Sequence, residues 1–186
     1  MSQADSDLVL MQGIAGGDSV AVRTLVDTAL SRIFRFSVRI LQDAADAEEV
    51  AQEVMVRACR QAPHWQKGEA RLDTWLHTVA LNLCRDKLRD RARRAVLGGV
   101  LLDIEDPDAD PESRLVETER SARVASAIRS LPERQRDAIL LVHYQDLSGA
   151  QAAKALGISV EALESLLSRA RRRLRQDIMN QESDDD

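Results

Sequence analysis

Apolar side chains recur at intervals of three and four residues through most of this chain, which is the spacing of amphipathic helices. The first such segment predicts a short helix over residues 5–15 that stops at Gly16 and Gly17. Asp18 is then placed to cap a long helix that ends near Leu41, because a short acceptor side chain satisfies the free N–H groups of a first turn. The chain therefore opens with two helices joined by a glycine turn.

Two further helices are predicted before residue 95. Residues 42–45 resemble a loop, and Asp46 followed by Glu49 fits a capping box that opens a third helix. Its apolar face is formed by Val50, Val54 and Ala58. Pro63 and Gly68 then interrupt the pattern and predict a loop over about 62–70. The fourth helix is predicted to bury Leu72, Trp75, Leu76, Val79 and Leu83 and to expose Thr74, His77, Thr78, Asn82, Arg85 and Arg89.

The composition changes after residue 95, where Gly and Pro occur among many acidic residues. Such a segment cannot bury much apolar surface, so we predict a flexible acidic linker over 96–116. Helical periodicity returns over 117–179, and residues 180–186 form an acidic tail. The sequence thus predicts two small helical domains, 1–95 and 117–179. The second is expected to hold four helices.

Residues 148–175 fit a helix-turn-helix, in which the second helix enters the major groove of DNA. Ser148 and Gln151 form a capping box, Gly157 suits the left-handed end of the first helix, and Ser159 can cap the second. Ala153 is small enough for the two helices to cross closely. The wedge between them is predicted to contain Ile158, Leu163 and Leu166.

The second helix of this motif separates apolar from polar positions. A buried stripe is predicted at Val160, Leu163, Leu167, Ala170 and Leu174, and the positions outside it are Glu161, Glu164, Ser165, Ser168, Arg169 and Arg172. Arginines hold phosphates, and serines and glutamates can contact bases. The alternative is an ordinary amphipathic helix with a solvated arginine face.

Composition supports an all-α protein, because aromatic residues are only 3% of the 186 residues and Ala, Leu, Arg and Glu are plentiful. The net charge of −5 argues against nucleic-acid binding until its distribution is considered. Residues 85–94 hold six basic side chains, residues 169–175 hold five, and the acidic residues concentrate between these segments and at the end. No apolar run suits a membrane span or a secretory signal, so we expect a cytoplasmic protein without membrane insertion.

The sequence gives little support to a catalytic site, a metal site or a disulfide bond. His64, His77 and His143 are far apart, and no nucleophile–base set or phosphate loop is visible, so an enzyme is not expected. His77 and Cys84 could share a helix face with a metal, but further ligands are not evident, and we predict no metal and no cofactor. Cys59 and Cys84 are expected to be buried thiols.

Five segments in order carry a family resemblance: AGGDSVAVRTLVD, DAEEVAQEVMVRACR, LDTWLHTVALNLCRDKLRDR, LPERQRDAILLVHYQDLS and AAKALGIS. With them the chain resembles the extracytoplasmic-function sigma factors of the sigma-seventy family, from Asp7 to Arg175. The resemblance implies a transcription factor that binds core RNA polymerase, at the β′ clamp helices and the β flap, and recognises promoter DNA. It also implies silencing by an anti-sigma factor, which could hold the protein at the inner membrane.

The resemblance assigns roles to particular positions. Glu49, Gln52 and Glu53 match residues that bind the β′ clamp helices, although an ordinary solvated face is the alternative. Asn82 matches an asparagine that captures an unpaired base of the −10 element. The other −10 candidates are Trp65 for stacking, Lys67 for phosphate, and Arg85 and Arg89 for the backbone, while Trp75 is assigned to the core.

The helix-turn-helix matches the part that reads the −35 element, but its second helix departs from the commonest pattern. Relatives often carry Gly-Thr-Val-Lys-Ser-Arg where this chain has residues 161–166, Glu-Ala-Leu-Glu-Ser-Leu. We therefore assign the −35 contacts to Ser165, Ser168, Arg169 and Arg172. The rival functions are a free-standing helix-turn-helix regulator, which would bind duplex DNA without polymerase, and an adaptor without DNA contact.

Overall fold

The computed structural model describes residues 3–66, 71–98, 123–144 and 147–183, which are helical with no strand among them. The all-α prediction is therefore confirmed. The chain divides into two compact units, Met1–Pro107 and Asp108–Asp186. The predicted linker lies outside the described residues from residue 99 onward.

The first unit is a bundle built around one long central helix. Its elements are α1 (Gln3–Ala15), α2 (Ser19–Leu41), α3 (Ala44–Gln61), a 3₁₀ turn (Ala62–His64) and α4 (Leu72–Gly98). The first of the predicted caps is present, since the carboxylate of Asp18 accepts from the N–H of Val20 at 2.8 Å. Helix α2 contacts α1, α3 and α4, and so holds the unit together.

Helix α3 begins earlier than the sequence pattern indicated. Its N-cap is Asp43, whose side chain accepts from the backbone N–H of Asp46 at 2.9 Å, so Asp46 lies in the first turn and is not the cap. The loop is correspondingly short, and Gln42 closes α2 in a left-handed conformation with φ 54°. The predicted apolar face is confirmed, because Val50, Val54 and Ala58 are all buried.

The predicted buried stripe of α4 is confirmed at Leu72 and Leu76 and is wrong at its other three positions. Trp75, Val79 and Leu83 are only half-buried, and the buried positions are Leu72, Thr74, Leu76, His77, Ala80, Leu81 and Cys84. The polar His77 is accommodated because its Nδ1 donates to the carbonyl of Asp73 at 2.8 Å and its ring meets Phe36 edge to face. The face toward α2 and α3 therefore includes polar side chains that apolar periodicity alone assigns to solvent.

A buried carboxylate on α1 caps the distant helix α4. Asp7 is 7% exposed, and its Oδ2 accepts from the backbone N–H of Leu72 at 2.9 Å. Its Oδ1 accepts from Gln3 at 3.1 Å. Because the first N–H groups of a helix lack partners within the helix, this contact stabilises the start of α4 from 65 residues away.

The described residues of the second unit form four helices, as predicted. Helix α5 is described over 123–129, and it is followed by α6 (Glu133–Ile139), a π-helical continuation (Leu140–Tyr144), α7 (Gly149–Leu156) and α8 (Val160–Ser183). The core includes three consecutive apolar residues, Ile139, Leu140 and Leu141. The π-helical turn was not predicted.

We predict that Asp7→Ala lowers the free energy of unfolding of the first unit by about 1–3 kcal/mol, because it leaves a buried N–H without an acceptor. Asp7→Asn keeps an acceptor oxygen and should lose less. The measurement is urea unfolding followed by tryptophan fluorescence, since the chain's two tryptophans, Trp65 and Trp75, both lie in this unit. The control is Asp27→Ala on an exposed face of α2. Equal losses in the Ala variants at positions 7 and 27 would show that the cap contributes nothing.

Candidate nucleic-acid interface and partner-binding face

The outer face of α3 carries the three predicted polymerase-binding residues. The side chains of Glu49 and Glu53 are 70% and 39% exposed, and Gln52 is also exposed. Each has a hydrogen-bond partner within the chain: Glu53 accepts from Arg57 at 2.8 Å, Gln52 donates to Glu48 at 3.1 Å, and Glu49 accepts from Lys87 at 2.6 Å. The structure thus brings the three residues together on one polar face.

An ion-pair cluster joins the start of α3 to the second half of α4. We define the α3–α4 ion-pair cluster as Asp43, Asp46, Glu49, Lys87 and Arg91. Lys87 Nζ lies 2.7 Å from Asp46 Oδ1 and 2.6 Å from Glu49 Oε2. Arg91 binds Asp46, lies 2.9 Å from Asp43, and donates to the backbone carbonyl of Leu41 at 2.9 Å. Sequence reasoning missed this cluster, because its partners are about 40 residues apart.

The cluster shifts two pKa values in the directions expected of ion pairs. Burial raises the pKa of Asp46, but hydrogen bonds from Lys87 and Arg91 and their positive charges outweigh burial, so the pKa is lowered overall. Burial lowers the pKa of Lys87, but its bonds and charge interactions with Asp46 and Glu49 raise it overall. Both groups are therefore held in their charged forms.

The candidate −10 residues of α4 lie on one outward face. Asn82 and Arg89 are exposed and Arg85 is half-buried. Their spacing of three and four residues aligns them along the helix. Arg89 lies 3.6 Å from Asp86, both of them largely exposed. Lys67 lies outside the described residues.

The structure places Trp65 in the interior and not on the surface. Trp65 is 9% exposed, and its ring meets Trp75 edge to face with centroids 6.0 Å apart. Trp75 is half-buried. A base can stack on Trp65 only if this contact rearranges, so Trp65 is not ready for stacking in this conformation.

The helix-turn-helix has the predicted caps. Gln151 N–H donates to Ser148 Oγ at 3.3 Å, and Ser148 N–H donates to Gln151 Oε1 at 2.8 Å, which completes the capping box. Gly157 ends α7 with φ 65°, and Ser159 accepts from the N–H of Ala162 at 3.2 Å. Ala153 and Leu163 are buried between the helices, while Ile158 and Leu166 are half-buried.

The outward face of α8 presents the predicted −35 residues. Every polar position assigned to this face is exposed, namely Glu161, Glu164, Ser165, Ser168, Arg169 and Arg172. A shallow open depression is lined by Glu164, Ser165, Ser168 and Arg169. The predicted stripe is confirmed at Leu163, Leu167 and Ala170, Leu174 is half-buried, and Val160, the first residue of the helix, is 43% exposed.

The described residues contain no group of three or more His, Cys, Asp or Glu side chains arranged to hold a metal ion. His77 and Cys84 are both buried in α4, Cys59 is half-buried in α3, and the two cysteines are free thiols. The prediction of a buried thiol therefore holds fully for Cys84 only. No helix in the described part of the chain is long and apolar enough to cross a membrane.

Two family models match the two units. Sigma-70 region 2 matches residues 25–94, which include α3 and most of α4, and Sigma-70 region 4 matches residues 121–174, which include the helix-turn-helix. Similar proteins include the ECF RNA polymerase sigma factor SigL of Mycobacterium tuberculosis, 32% identical over 175 residues, covering 89% of this chain and 93% of that one. Another is the RNA polymerase sigma-H factor of Pseudomonas aeruginosa, 30% identical over 184 residues, covering 92% and 93%.

Solved structures share the fold. CnrH in complex with the cytosolic domain of CnrY matches with a TM-score of 0.71 and 24% identity, covering 94% of this chain and 97% of that one. The sigma factor RpoE of Bartonella quintana, in complex with the anti-sigma factor NepR, matches with a TM-score of 0.72 and 23% identity, covering 84% and 96%. The chain belongs to the extracytoplasmic-function sigma factors of the sigma-seventy family. Members of this family are transcription initiation factors that act with RNA polymerase on promoter DNA.

We predict that Asp46→Asn lowers the free energy of unfolding of the first unit by about 1–2 kcal/mol at pH 7, because it weakens the bonds to Lys87 and Arg91. Since the pKa of Asp46 is lowered by folding, this contribution is present above the ordinary aspartate pKa of about 3.9 and is lost as the pH falls through the lowered value. Lys87, whose pKa is raised by folding, contributes fully below the ordinary lysine pKa and loses its part only as the pH rises through the raised value.

The measurement is urea unfolding of wild type and variant between pH 3 and pH 8. Asp86→Asn is the control, because Asp86 is 66% exposed, lies 3.6 Å from Arg89 and is not a member of the α3–α4 ion-pair cluster. A difference between wild type and Asp46→Asn that stays constant across this range would contradict the assignment.

Proposed function

We propose that this sigma factor holds core polymerase through Glu49, Gln52 and Glu53, which bind the β′ clamp helices. The observation that supports it is their grouping on one exposed face of α3, at the end of which Glu49 also contacts α4. An acidic and amide face complements a basic partner helix and favours its approach. Binding requires the partner to compete with the existing contacts of Glu49 to Lys87 and of Glu53 to Arg57.

The −10 element is read by α4 after the duplex opens. Asn82 is exposed, and its amide can both donate to and accept from the edge of an unpaired base. Arg85 and Arg89 continue along the same face and hold the backbone of the same strand. Lys67 is proposed to add a phosphate contact. Trp65 would join only after leaving its contact with Trp75.

The −35 element is read by the helix-turn-helix through Ser165, Ser168, Arg169 and Arg172. Their exposure on the outward face of α8 supports this role. The same unit is proposed to contact the β flap of polymerase. Polymerase then holds both DNA-reading units at once, which converts two weak contacts into a bivalent grip. The proposed action is binding and promoter opening without catalysis by this chain.

The test is run-off transcription with core polymerase on genomic promoter fragments. Wild type should give discrete transcripts. Glu53→Ala should weaken binding to core about tenfold, equivalent to roughly 1.4 kcal/mol, because it removes a charged contact. Asn82→Ala should leave core binding intact and reduce open-complex formation about fivefold or more, because it removes base contacts.

Matched controls distinguish the roles of Glu53 and Asn82 from the effect of removing any exposed carboxylate or any exposed amide. Asp27→Ala removes an exposed carboxylate from α2, and Gln12→Ala removes an exposed amide from α1. Both controls should transcribe like wild type. If the purified protein binds duplex promoters tightly alone and core polymerase adds nothing, the free-standing regulator is correct and this proposal fails.

We also propose silencing by an anti-sigma factor in the cytoplasm or at the inner membrane. The motivation is that RpoE of Bartonella quintana, which shares this fold, is crystallised with such a partner. A protein of the source cell should bind the wild-type chain and displace core polymerase in a fluorescence competition assay. If every protein captured by the chain leaves core binding unchanged, this part of the proposal is wrong.

A further inference from the structure

The exposed face of α8 contains a carboxylate that the assignments above leave unused. Glu164 is exposed one turn into the recognition helix and lines the depression with Ser165, Ser168 and Arg169. We propose that Glu164 is a specificity-determining residue that selects a cytosine within the −35 element. This inference rests on the proposed function and adds a base preference to it.

The carboxylate of Glu164 is available for a ligand. Within the described residues, no side chain forms a hydrogen bond or ion pair with it. Its Oε1 lies 4.0 Å from the point where a Cβ at Gly149 would stand, so it is adjacent to the first residue of α7. Both carboxylate oxygens can therefore accept a hydrogen bond from a ligand.

Glu161 provides an internal contrast on the same face. Hydrogen bonds from its own backbone N–H and from the hydroxyl of Ser159 lower the pKa of its carboxyl at the start of α8. Glu164 lies one turn later, and no described side chain forms a hydrogen bond with its carboxylate. The two glutamates are therefore chemically distinct although both are exposed.

Cytosine is the base whose edge suits an acceptor-only group. In the major groove cytosine presents an N4 donor, guanine presents two acceptors, and thymine presents an acceptor and a methyl group. Adenine presents a donor beside an acceptor, which suits an amide better than a carboxylate. Arg169 lines the same depression, and its guanidinium can donate hydrogen bonds to the guanine that pairs with this cytosine. Its Nε donates to the carbonyl of Ser165 at 3.1 Å.

A carboxylate in a DNA groove is repelled by the phosphates, so its contribution to total affinity is unfavourable. The carboxylate instead increases the difference in affinity between cytosine and the other bases. A base without the N4 donor forms no hydrogen bond that offsets the repulsion. Removing the charge should therefore strengthen binding to most sequences and erase the preference for cytosine. A residue with a merely structural role would change neither property.

The experiment is transcription by holoenzyme from a promoter library with a randomised −35 element, followed by sequencing of the transcribed templates. Wild type should enrich cytosine at one position, and Glu164→Gln should reduce that enrichment about tenfold while total promoter affinity rises. Glu164→Arg should enrich guanine at the same position. Glu161→Gln is the matched control, because it removes the same charge from the same face and should keep the cytosine preference.

The outcomes separate the two proposals. If wild-type holoenzyme transcribes but its −35 preference is the same in Glu164→Gln, or contains no enriched cytosine, the assignment of Glu164 is wrong and the sigma function stands. If Glu161→Gln loses the preference equally, net charge and not Glu164 sets it. If wild type gives no transcript from any template, the proposed function fails, and this inference fails with it.

Discussion

The first unit depends on the apolar stripe of α2. Ala21, Leu25, Ala29, Ile33 and Phe36 recur at three and four residues and are all buried, so α2 offers one continuous face to its neighbours. Because α3 and α4 both pack on this helix, their inner faces are committed to the core. The outer faces that remain are polar, and they carry the residues assigned to polymerase and to the −10 element. One hydrophobic constraint therefore orients both surfaces.

Local signals in the sequence predicted local structure well. Asp18, the box of Ser148 and Gln151, and the left-handed Gly157 all act within one or two turns, so their chemistry can be read without knowing the fold. The outward face of α8 could be predicted for the same reason, because the helix has a single apolar stripe and the opposite face must be exposed. The candidate −35 surface could therefore be predicted from local sequence alone.

The predictions failed where distant contacts decide the outcome. Helix α4 packs a face containing Thr74 and His77 against the core, and apolar spacing cannot indicate that choice when Trp75 and Val79 offer a plausible rival stripe. Asp46 is the predicted cap of α3, but Asp43 supplies the cap and ion pairs with α4 occupy Asp46. The cap supplied by Asp7 to Leu72 is likewise invisible to any local pattern. Long-range partners therefore account for most of what the sequence left open.

The cationic segment of α4 is less available to DNA than its sequence indicates. Of its basic residues, Lys87 and Arg91 pair with α3, and Arg89 and Arg93 each lie near an aspartate of their own helix. A phosphate must compete with these carboxylates, and fewer counterions are released than the number of basic residues implies. Net charge of −5 adds a general repulsion from DNA. We expect these charges to keep the intrinsic affinity for DNA weak, so that a factor of this kind gains promoter selectivity without being held at random sites on the chromosome.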